Sequence, residues 1–132
     1  MNGAGHVYRV DVPARQTQRL GRLPLPANSC VALQQLTGAG GSLYVGVCET
    51  DEERSLGLFC AVWKIQPEPT VTLLDRILLP DPAINFVVNR NGAFLAAVNP
   101  FSRTVLLYDT EARKTARRWQ LGMSPSEVQF QE

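Results

Sequence analysis

The chain has 132 residues, 45% hydrophobic and 19% charged, enough apolar matter for one buried core and too much for a disordered polymer. Thirteen cations against twelve anions leave a net charge of +1, which excludes a general electrostatic field for nucleic acid or an anionic lipid surface. No apolar run approaches the roughly 20 residues of a membrane-spanning helix, and the first residues lack the basic and apolar regions of a secretory signal.

In chain order, residues 7–12 (VYRVDV) alternate as a strand, and residues 18–25 form a second that Pro24 and Pro26 close. Residues 30–36 are apolar enough for a central strand. A glycine-rich turn at 37–42 leads to a strand at 43–48, and the charged segment 49–55 (ETDEERS) is expected as a loop. Residues 56–65 make a long apolar strand with Trp63 in the core. Residues 71–79 form another, ended by Pro80 and Pro82. Residues 84–88 and 93–98 flank an Asn91-Gly92 hairpin turn. Residues 104–108 and 117–121 flank a polar turn, and 128–130 alternate once more. Residues 110–118 carry helical propensity, but apolar positions at helical spacing are sparse there, so a hairpin is expected.

These short strands, with a turn signal every 8–12 residues, describe an all-β chain. They also repeat. VYRVDV (7–12) leads to RLGRLPLP (19–26), CAVWKIQ (60–66) to LLDRILLP (73–80), and TVLLYDT (104–110) to ARRWQLG (116–122). An apolar strand follows each closing breaker. A period of roughly 40–45 residues with four strands per unit marks a propeller blade.

On these residues the chain resembles a divergent WD-repeat-like β-propeller over nearly its whole length. Tyr108-Asp109 stands where the family has Trp-Asp, with Val10-Asp11 and Ile65-Gln66 in the same place less faithfully; the family's Gly-His pair is missing. The resemblance implies four-stranded antiparallel blades in an incomplete ring. It places a half blade at 7–26, blades at 30–80 and 84–122, and the first strand of a further blade at 126–132. The alternative is a single small β-barrel or sandwich.

Little chemistry is marked. The single histidine, His6, provides no triad. Cys30, Cys48 and Cys60 are odd in number, lack CxxC spacing and sit in apolar stretches. They read as buried thiols of an intracellular protein, cytoplasmic or nuclear. Contiguous Asp51, Glu52 and Glu53 diverge too much for a cation site. Gly38–Gly41 lacks the Lys and the helix of a phosphate loop. Arg113, Lys114, Arg117 and Arg118 beside Trp119 suit an outer strand better than a nucleic-acid surface. No cofactor is expected and no metal.

What the resemblance does imply is a loop face for partners, carrying Asp51, Glu52, Glu53, Arg54, Asp81, Phe101 and Arg103. The expected function is a non-catalytic scaffold for other protein chains, as a subunit of a multiprotein complex, with no membrane contact. A propeller-type, lactonase-like hydrolase and a small nucleic-acid-binding β domain are the alternatives.

Overall fold

The computed structural model describes residues 5–26, 29–36 and 41–131. Among them are ten strands and one short helix, and the chain is all-β. The strands are β1 (His6–Asp11), β2 (Gln16–Arg22), β3 (Cys30–Leu36), β4 (Leu43–Cys48), β5 (Phe59–Gln66), β6 (Thr72–Ala83), β7 (Asn85–Val88), β8 (Phe94–Asn99), β9 (Thr104–Asp109) and β10 (Lys114–Gln120). The glycine-rich turn lies outside the described residues except for Gly41 and Ser42.

The strands form a two-stranded hairpin, β1-β2, and two antiparallel four-stranded meanders, β3-β4-β5-β6 and β7-β8-β9-β10. Among the described residues no sheet closes into a barrel, so the barrel alternative does not hold.

Three segments differ from the sequence reading. The expected loop at 49–55 contains a helix, α1 (Asp51–Leu56). Thr50 caps it: the Thr50 hydroxyl accepts from the Glu53 amide (3.1 Å), and Glu53 Oε2 accepts from the Thr50 amide (2.9 Å). Gly57, at φ 69°, ends it in the left-handed region that favours glycine. This helix takes the first residues of the long strand expected at 56–65, so β5 begins at Phe59.

Next, β6 runs through Pro80 and Pro82 to Ala83 rather than stopping before them. It is an edge strand, where a missing N–H can face away from the ladder. Finally, residues 121–131 form no strand, so the one expected at 128–130 is absent. That segment is held instead by Asn85, whose Nδ2 donates to the Ser126 carbonyl (3.2 Å).

Period-2 alternation gives the β3–β6 sheet two apolar faces. Val45, Val47, Ala61, Trp63 and Ile65 pack on Val7 and Leu23 of the N-terminal segment. Tyr44, Val62, Ile77 and Leu79 pack on Phe86, Val88, Leu95, Ala97, Leu106 and Tyr108 of the β7–β10 sheet. Strict alternation would put Phe59 on the same side as Ala61. A register shift between them turns Phe59 to the other face, where its ring meets Phe86 edge-on at 5.6 Å. Gly46 lies beneath that ring; a Cβ there would stand 3.1 Å from it.

The hairpins β1-β2 and β9-β10 close with the same device. Asp11 Oδ1 accepts from the Ala14 amide (3.1 Å), and Asp109 Oδ1 from the Glu111 and Ala112 amides (3.0 and 2.9 Å). Each turn then ends on an arginine at positive φ, Arg15 at 52° and Arg113 at 57°. The shared pattern is Asp-x-x-Ala-Arg, and it makes β1 the counterpart of β9.

Arginine joins the sheets. Arg9 Nη1 meets Glu68 Oε1 at 2.5 Å, tying the hairpin to the β5–β6 turn. Arg113 Nη1 meets Asp75 Oδ2 at 2.8 Å, and Arg118 pairs with Asp81, both linking the last sheet to β6. The hydrogen bond from Arg113 holds the Asp75 carboxyl below its usual range; burial opposes this, while the Arg113 charge and the Arg76 amide reinforce it. A carboxyl depressed in the folded state adds stability above its unfolded pKa, about 4, and that contribution is lost as pH falls through the folded value. Asp75→Asn is therefore expected to lower the melting temperature at pH 7 by about 2–4 °C at most, the pair being partly exposed. The gap from the parent chain should close on acidification below about pH 4, as the parent's Asp75 takes up its proton. A gap that stays constant with pH would show that the pair's charge adds nothing.

Candidate interaction face

Three connections converge at one end of the two large sheets. The first is α1, with its acidic first turn Asp51, Glu52 and Glu53. The second is the end of β6, where Ala83 pairs with Phe59 immediately after the helix. The third is the β8–β9 turn. Asn99 joins the last two, its Nδ2 donating to the Pro82 carbonyl at 2.9 Å. The other end of the same amide, Oδ1, accepts from the Phe101 and Ser102 amides at 2.8 and 3.2 Å. This buried asparagine therefore sets the turn in one conformation, and the turn pushes Phe101 outward with 71% of its surface exposed. Arg103 follows at φ 58°, its carbonyl accepting from the Leu121 amide at 2.8 Å. Its side chain makes no hydrogen bond or ion pair among the described residues.

The seven residues expected on this face divide. Glu53 is internal machinery. Besides the cap, its Oε2 accepts from the Glu49 amide (2.8 Å), and the Cys60 thiol bonds to its carboxylate. Burial would raise the Glu53 pKa, but the bonds from Cys60 and the Glu49 and Thr50 amides outweigh it and hold the carboxyl below its usual range. Asp81 is committed to Arg118. Arg54 reaches Asp51 at 3.6 Å, an exposed contact worth little. Asp51, Glu52, Phe101 and Arg103 remain presented to solvent.

Sequence reasoning missed the framework behind the face. Glu49 takes a forked pair of bonds from Arg76, Nη2 to Oε1 at 2.5 Å and Nε to Oε2 at 3.0 Å, fastening the start of α1 to β6. The Thr50-x-x-Glu53 spacing signals the cap, but the surrounding charge hides it. Asn99 is legible as a turn former, since its Oδ1 accepts from amides two and three residues on, but its bond to the Pro82 carbonyl depends on the tertiary fold.

Burial, the bond to Glu53 and the charges of Glu53, Asp81 and Glu49 push the Cys60 thiol up to about 12, so it stays protonated at neutral pH and is no nucleophile. Among the described residues, no three His, Cys, Asp or Glu side chains are placed to hold a metal. The basic cluster is divided as well: Arg113 and Arg118 bind β6 carboxylates, while Arg117 stacks 5.2 Å from the Trp119 ring. No described helix is long and apolar enough to cross a membrane. No protein-family model matches the chain, and no curated protein matches it.

Proposed function

We propose that the chain is an arc of WD-repeat-like propeller blades serving as a non-catalytic scaffold that binds other proteins through the α1, Asp81 and Phe101 end. The observation that carries this reading is Phe101: a large aromatic held outward by a buried asparagine, with an uncommitted arginine two residues on. A side chain exposed on a braced turn loses little entropy on binding, and aromatic and arginine side chains dominate interface energies. Sequential four-stranded meanders, stacked face on face and joined by short connections, support the blade reading.

The test replaces Phe101 with a photo-crosslinking phenylalanine analogue and identifies what it captures in cells. The affinity of that protein is then measured for the parent chain and for Phe101→Ala. Loss of a central aromatic anchor should weaken binding at least about thirtyfold, with the melting temperature unchanged. Equal affinity for the two chains would remove this face from the proposal.

A further inference from the structure

Each large sheet places an inner strand on the edge that β1 leaves bare. β9 pairs with β10 on one side and β8 on the other. β1, its counterpart through the shared Asp-x-x-Ala-Arg turn, pairs with β2 and with no other strand among the described residues. A cavity of about 740 Å³ lies against β1, lined by its residues His6 to Val10 and, among others, by Leu20, Leu43 and Pro67. Tyr8 and Val10 are 58% and 63% exposed, large apolar side chains with nothing over them. An edge of free N–H and C=O groups beside an apolar cleft is what an incoming extended peptide needs: the backbone provides pairing, and the cleft takes alternate side chains.

We propose that the β1 edge is an acceptor site for an extended strand donated by a partner chain, antiparallel to β1 and predominantly apolar like β4 and β8. Those two strands, Leu43–Cys48 and Phe94–Asn99, show what this edge position takes in the complete sheets. A folded second copy cannot offer either of these two strands. Its β4 and β8 are paired on both sides, and its C-terminal segment is docked through Asn85 with Val128 and Phe130 half-buried. The proposal rests on the blade reading above, but it concerns a different surface from Phe101.

The test uses the intact chain and a synthetic peptide with the sequence of residues 89–100, which contains β8. Hydrogen exchange of the β1 amides is followed with and without peptide. Strand addition should slow exchange at least about tenfold at every second β1 residue, because alternate amides face the open edge. Val10→Lys, which puts a charge in the cavity, should abolish the protection, and Val12→Lys, the same charge on an exposed residue outside it, should retain it. No protection by the peptide, or equal protection in both variants, would overturn the proposal. Protection that grows with protein concentration and needs no peptide would overturn the foreign strand in favour of a second copy. Phe101-dependent capture reads the scaffold function independently, so either result can fail while the other stands.

Discussion

Trp63→Ala should destabilise the chain by about 3–5 kcal/mol, the range for removing a buried aromatic. Trp63 is 3% exposed and lies between the β3–β6 sheet and the N-terminal hairpin, among Val7, Leu23, Val45 and Ile65. The hairpin has only two strands and leans on this contact, so the vacated space cannot be refilled from its side. Trp63→Phe should cost much less, about 1–2 kcal/mol. The indole Nε1 has no hydrogen-bond partner among the described residues, so its removal breaks no bond and relieves a buried donor. Denaturant unfolding distinguishes the cases through the midpoint at constant slope. A loss below about 1 kcal/mol for the alanine variant would mean that the hairpin does not pack there.

Phe59→Ala should be comparably damaging, again about 3–5 kcal/mol. The ring is fully buried at the junction of the two large sheets and touches Phe86 edge-on. A double-mutant cycle between the two should return a coupling of about 0.5–1.5 kcal/mol. Gly46→Ala gives an independent reading. In the parent chain the new methyl presses on the Phe59 ring and should cost about 1–3 kcal/mol. In the Phe59→Ala background most of that cost should disappear, because the obstructing ring is gone. Strictly additive losses would show that Phe59 does not occupy this position.

The candidate face was only partly legible in the sequence. Phe101 is legible as an aromatic in a polar turn, but whether it tucks over its own hairpin or stands outward is decided by the turn that Asn99 braces. Glu53 and Asp81 stood out equally as surface carboxylates, yet one caps a helix and receives a thiol hydrogen bond while the other closes an inter-sheet pair. A charged side chain in a loop looks the same from sequence whether it faces a partner or its own molecule.

By itself the sequence determined the all-β character, the hairpin turns and the order of strands within each meander. These depend on neighbours in the chain: period-2 alternation in β4, β5 and β8, Asn91-Gly92 between β7 and β8, Asp109 bonding to amides two and three residues on. Tertiary structure alone decided what depends on distant partners. The register shift that turns Phe59 toward Phe86 needs β6 and the opposing sheet, and β6 passes its prolines because no strand among the described residues pairs with its outer edge. The segment at 128–130 alternates like a strand but forms none, since period-2 patterning makes a strand only where another edge supplies its hydrogen bonds. For the same reason β1, whose pattern is equally strand-like, is paired on one side and open on the other.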